Sequence, residues 1–292
     1  MRALLYFAAL FAVALGLVAA ATWPAWELVN LFASVPFHRV GNRIAMLGLA
    51  IGLYVVARRL GVANRTAMGY GVRRSQFVIE LLKGVVLGVL FMLPLALLML
   101  ALGLRDLNAG VTLGLIGKTM LVALGSGLTV AFIEETFLRG AMYSAVSRES
   151  GVFIAIVSTS LLYAATHFFA RYRIAPEDVT LLSGLDLLRG ALGQFAQPRA
   201  MLDSFLSLAA VGALLAIVRS YRGNIAAGIG LHAGWVTVML AVLRLTRVDP
   251  AASQSWLLSQ HDGFVGYLTL GWTVVAAIPL LAYYRRQRRQ AN

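Results

Sequence analysis

Cysteine is missing from all 292 residues. Its absence excludes disulfides, thiolate metal sites and a cysteine nucleophile. Charge is scarce as well. Asp, Glu, Lys and Arg make up 13% of the chain, where a soluble globular protein carries about a quarter. Acid is the scarcer sign, with 12 Asp and Glu against 25 Lys and Arg, a net charge of +13 and a pI near 10.8. A net charge this basic raises nucleic acid as a partner. However, the basic residues punctuate apolar runs and do not gather into a patch with interleaved aromatics, which argues against nucleic acid and for a role in setting membrane orientation. What is plentiful is apolar surface: 60% of residues are hydrophobic and the mean hydropathy is +0.81. A soluble core cannot absorb that excess, so it faces lipid. The composition predicts an all-α, polytopic integral membrane protein.

Uncharged runs locate about eight transmembrane helices. The opening "MRALLYFAALFAVALGLVAAAT" has the small residues of a signal peptide at its end, but its apolar part is as long as a bilayer is thick. An uncleaved first span over 3–26 is the reading adopted. Further spans are expected at 44–57, 84–104, 112–146, 150–166, 204–218, 223–243 and 263–284. The second is short, with Arg43 and Arg58 placed to snorkel. Glu80 and Lys83 stand at the start of the third. The long connection from Arg171 to Asp203 contains "PEDVTLLSGLDLLRGALGQF", amphipathic and suited to an interfacial helix or a lid. No internal repeat, low-complexity tract or separate soluble domain is visible. The chain reads as a single membrane domain over 1–292, with a basic tail at 285–292.

Basic residues favour both termini on the cytoplasmic side. That side then holds Arg58, Arg59, Arg65, Arg73, Arg74, Arg148, Arg219, Arg222 and the "YYRRQRRQ" tail. The opposite side collects fewer, among them Arg39, Arg43, Arg105, Arg171, Arg244 and Arg247. Lipid bilayer is thus the first expected partner.

Ionisable groups inside the spans need a reason, because each costs about 2.5–3.5 kcal/mol to insert. Five stand out: Glu134, Glu135, Arg139, His167 and His232. On a helix, Glu135 and Arg139 are one turn apart and face each other, with the acid on the N-terminal side. Glu134 points about 100° away and has no partner in its own helix. His232 lies well inside an apolar run, flanked by Gly228, Gly230 and Gly234, which permit close helix packing. His38 and His261 fall in expected connections and read as solvated. Singly, each group has a bland explanation: a helix-end ion pair, or an imidazole bonded across helices. Together, an unpaired acid and two imidazoles can form a water-activating centre.

The three motifs "EETFLR", "YAATH" and "HAGWV" carry a resemblance. The sequence resembles the CAAX-protease and bacteriocin-processing family of intramembrane proteases (CPBP, Abi). Glu134, Glu135 and Arg139 match its EExxxR, and Tyr163 and His167 match its FxxxH. His232 matches the histidine of its HxxxN or HxxxB. The resemblance spans roughly 112–243. It implies an endopeptidase that hydrolyses a peptide bond of a membrane-associated protein or peptide. Glu134 would activate the water, His167 would assist, His232 would help hold the oxyanion, and Glu135 and Arg139 would support the site. No cofactor is implied. Glu134, His167 and His232 are also zinc-competent types, but no HExxH element fixes a zinc geometry.

Two points test the resemblance. Where some members carry Asn in the last motif, this chain has Val236, which cannot donate a hydrogen bond; Asn224 is polar but wrongly spaced. The depths also disagree. At 1.5 Å per residue, His167 is roughly 25 Å from Ser150 while His232 is roughly 15 Å from Arg222. Tilt or unequal protrusion of the helices has to bring them level. Two rival functions share the composition: a non-catalytic membrane scaffold, and a proton-coupled small-solute transporter with a Glu–His relay. The transporter reading predicts inverted repeats, which are not seen.

Overall fold

The computed structural model describes residues 2–169, 172–260 and 262–291. Arg171 and His261, both named above, lie outside the described residues. Within them, eight helical segments are long and apolar enough to cross a membrane. The protein is an all-α polytopic membrane protein. Helices α1 (Arg2–Asn30), α2 (Phe37–Arg59) and α3 (Arg74–Ala101) come first. The fourth span runs from Leu113 to Ser150. It comprises α4 (Leu113–Glu135), a π-helical stretch (Thr136–Met142) and α5 (Tyr143–Ser150). Then follow α6 (Val152–Phe169), the short α7 (Ser183–Gln194), α8 (Pro198–Arg222), α9 (Ala226–Leu245) and α10 (Tyr267–Ala291). The second span is longer than the uncharged run suggests. It starts at Phe37 and takes in His38 as a half-buried residue of its first turn, so His38 is not in a connection.

Local chemistry sets the ends. Thr112 caps α4, its hydroxyl accepting from the Leu115 N–H at 3.2 Å, as an N-cap threonine does. Gly223, at φ +68°, closes α8 in the left-handed conformation that favours glycine. Asn224 then accepts the Ala226 N–H at 3.0 Å and so starts α9. A tight turn results, with α8 and α9 joined almost without a loop.

Helix α9 is the hub. It packs between α3 and α4, and 72% of its spanning window is buried. Two glycine pairs allow the approach to α3. Gly84 and Gly88 of α3 meet Gly230 and Gly234 of α9 backbone to backbone: a Cβ added at Gly84 would come within 2.6 Å of the Ala227 carbonyl oxygen and 2.9 Å of the Gly230 Cα. The sequence marks Gly230 and Gly234 as packing residues; their partners on α3 emerge only in three dimensions. Gly88→Ala is expected to destabilise the protein by about 1–3 kcal/mol, the cost of overpacking. The roughly 1 kcal/mol that alanine gains in helix propensity does not offset that clash. Thermal unfolding in detergent reads the change, and a midpoint at or above wild type would contradict the packing.

The connections are tied down on both faces. Helix α7 buries Ser183, Gly184, Leu187 and Ala191, with Gly184 against the Ala19 backbone of α1. The amphipathic connection is thus a helix docked on α1. Strands β1 (Arg105–Leu107) and β2 (Thr246–Val248) pair antiparallel, Arg105 opposite Val248. Arg105, 3% exposed, staples this ribbon. Its guanidinium donates to the Thr246 hydroxyl at 2.7 Å and to the Gly263 carbonyl at 2.6 Å. Burial lowers its pKa, and nearby Asp262 acts in the opposite sense. On the face carrying the chain ends, Glu80 of α3 accepts from Arg222 (2.5 Å) and Asn224 (2.9 Å) at the α8–α9 turn. Arg222 in turn donates to Gln287 of α10 at 3.0 Å.

Candidate active site

The adjacent carboxylates Glu134 and Glu135 sit at the junction of α4 and the π-helical stretch. A π turn inserts an extra residue into a helix and is frequent at functional sites. Here it begins one residue after Glu135 and contains Arg139. Glu135 and Arg139 are fully buried and paired, Nη1 to Oε1 at 2.9 Å. The second arm, Nη2, donates to the Gly212 carbonyl of α8 at 2.8 Å, and the guanidinium lies over the Tyr163 ring of α6, 5.0 Å from its centroid. Gly228 of α9 makes room for the acid, since a Cβ there would stand 3.2 Å from Glu135 Oε2. The pair thus fastens four helical segments at one level.

His232 joins this anchor. It is 2% exposed, and its Nδ1 lies 3.1 Å from Glu135 Oε1. A carboxylate accepts only, so Nδ1 carries the proton. Nε2 then points to the other acid, 3.8 Å from Glu134 Oε2. Glu134 is the odd member of the set. Its side chain is 30% exposed, yet Oε2 is buried with no hydrogen-bond partner among the described residues. The adjacent glutamates therefore differ sharply: one is sealed and neutralised, the other half-open and unpaired.

His167 is half-buried and its Nδ1 lies 2.8 Å from the Tyr163 carbonyl. That carbonyl also only accepts, so neutral His167 keeps Nε2 as an acceptor. Tyr163 stands between the two imidazoles, with centroids 4.6 Å from His167 and 5.8 Å from His232. Every expected site residue (Glu134, Glu135, Arg139, His167 and His232) falls in this one constellation.

Unequal protrusion resolves the depth mismatch. Arg219 Nε of α8 donates to the Arg139 carbonyl at 3.1 Å. The Ile225 N–H, at the start of α9, donates to the Gly69 carbonyl at 3.1 Å, and Met68 lies against Gly140. So α9 starts level with residues 139–140, and α5 continues roughly 15 Å beyond. The α2–α3 connection fills the space around it, with Ser144 donating to the Ala67 carbonyl at 2.6 Å.

Arg219, 8% exposed, and the Gly212 carbonyl are supports that the sequence reading missed. Arg219 looks from sequence like an orientation charge, and a backbone acceptor leaves no side-chain signal. Asn224 is not a free donor, being committed to Glu80 and the start of α9. Among the described residues, no three His, Asp or Glu side chains converge to hold a metal ion. A cavity of about 890 Å³ opens between α4 and α9, lined by Lys118, Thr119, Val122, Ser126, Leu240 and Arg244 among others. It is displaced along α4 from Glu134, and none of the acids or imidazoles lines it.

Residues 116–238 match the family model described as type II CAAX prenyl endopeptidase, Rce1-like. This core is similar to the CAAX-protease family. The matched stretch holds all three motifs and nearly coincides with the 112–243 read from sequence. No curated protein and no solved structure gave a match. Integral membrane placement and similarity to a family of CAAX prenyl endopeptidases thus agree.

Proposed function

We propose that the protein is an intramembrane endopeptidase that hydrolyses a peptide bond of a membrane-associated protein or peptide with a water activated by Glu134. The family match supports a protease. The observation that carries the mechanism is the contrast between the paired, sealed Glu135 and the unpaired, half-open Glu134 facing His232.

The charges suggest how the site works. Arg139 neutralises Glu135 and leaves Glu134 as the carboxylate free to act as a base. Glu134 takes the proton of the attacking water. His167 accepts a hydrogen bond from that water at Nε2, which orients it. The water oxygen bonds to the carbonyl carbon and the carbonyl oxygen gains negative charge. His232, anchored by Glu135, presents Nε2 to this centre. When the C–N bond breaks, the proton held by Glu134 passes to the leaving amine. No step requires a metal. The site lies among helices and the basic residues favour cytoplasmic termini, so the substrate reaches it laterally or from that side.

Cleavage of a labelled membrane peptide by purified protein tests the reading. His167→Ala and His232→Ala are each expected to slow cleavage by about 10²-fold or more, the lower range for a general acid–base group. Wild-type rates in both would sink the assignment. Chelator is expected to leave the rate unchanged.

A further inference from the structure

The attacked carbonyl oxygen becomes an oxyanion, and fixed donors aimed at it are usually the largest single contribution to such catalysis. Few donors here are uncommitted. The two Nη groups of Arg139 serve Glu135 and Gly212, and its Nε is enclosed. His167 gives its Nδ1–H to a carbonyl, and His232 gives its own to Glu135. Val236, one turn beyond His232 on the same face of α9, has nothing to donate.

Tyr163 is the exception. Its side chain is 3% exposed and packed by both imidazoles and the Arg139 guanidinium. Its ring is therefore fixed. Its hydroxyl makes no hydrogen bond among the described residues, yet it is not one of the enclosed polar atoms left without a partner. It therefore opens onto reachable space. Tyr163 and Glu134 both stand against His232, the ring centroids 5.8 Å apart and the Glu134 carboxylate 3.8 Å from Nε2. In the resembled motif this position is phenylalanine, which would fill the same space without a donor.

We propose that the Tyr163 hydroxyl donates a hydrogen bond to the carbonyl oxygen under attack, supplying the donor that Val236 cannot. The inference rests on the water-activating reading of Glu134. Tyr163 keeps its proton throughout: the π pair of the carbonyl moves onto oxygen as the water oxygen bonds to carbon, and returns when the C–N bond breaks.

Tyr163→Phe keeps the ring, its edge contacts and the cation–π contact, and removes only the donor. It is expected to lower kcat by about 10²–10³-fold, the effect of losing one oxyanion donor, with KM and the thermal midpoint near wild type. Wild-type kcat in Tyr163→Phe alongside an inactive Glu134→Gln overturns the role of Tyr163 and leaves the Glu134 reading standing. Wild-type cleavage by Glu134→Gln overturns both. A fall in kcat that tracks a fall in the thermal midpoint reduces Tyr163 to a packing residue.

Discussion

Glu134→Gln is expected to cut peptide hydrolysis by about 10²–10⁴-fold, the contribution of a positioned general base, while the fold holds or tightens. Glutamine matches the shape of glutamate but cannot take a proton from water. Stability should not suffer, because Glu134 makes no ion pair in its own helix and its buried Oε2 lacks a hydrogen-bond partner among the described residues. A buried, unsatisfied polar group costs about 1–3 kcal/mol, more when charged, so an uncharged amide relieves strain or leaves it unchanged. Activity and stability thus move apart. Cleavage rate and thermal midpoint measured on one preparation would show it. A variant that cuts at the wild-type rate would remove Glu134 from the chemistry. A variant that is inactive only because it unfolds would remove the reason for treating Glu134 as different from Glu135.

Arg139→Ala is expected to destabilise the protein by about 3–5 kcal/mol, the cost of leaving one partner of a buried ion pair alone. The loss should exceed that of any surface arginine in the basic tail, where exposed charges contribute about 0–1 kcal/mol. Arg139 neutralises Glu135, donates to the Gly212 carbonyl and lies over Tyr163. Its removal strands a carboxylate and loosens α8 and α6 together. The double variant Glu135→Leu with Arg139→Met is expected to be less destabilised than the sum of the two single variants, because no orphan charge remains. It should still be inactive, since His232 loses the acceptor that orients its ring. Unfolding midpoints of the two singles and the double close the cycle. An Arg139→Ala protein as stable as wild type would show that the pair contributes little to the fold.

The pairing of Glu135 with Arg139 could be read from spacing alone, because residues one helical turn apart meet whatever surrounds them. The π-helical stretch begins only after Glu135 and leaves that contact in place. The spans were legible for a similar reason. Lipid demands long apolar runs, and the runs survive in the chain as written. Even so, the second span extended past its uncharged stretch, because Arg39 and Arg43 lie on its exposed first turns.

Contacts between distant segments were not legible. That Gly84 and Gly88 would receive Gly230 and Gly234, or that Arg219 would cap the Arg139 carbonyl, depends on how helices cross and slide. Neither has a period or a spacing. Spacing along one helix determined which side chains could pair locally. Only the packing of α4, α6, α8 and α9 decided that Glu134 would be left open and that Tyr163 would stand between two imidazoles. The physical reason is range: a turn of helix fixes neighbours within a few residues, while the meeting of separate spans is set by backbone approach and unequal helix length, which leave no mark in the order of residues.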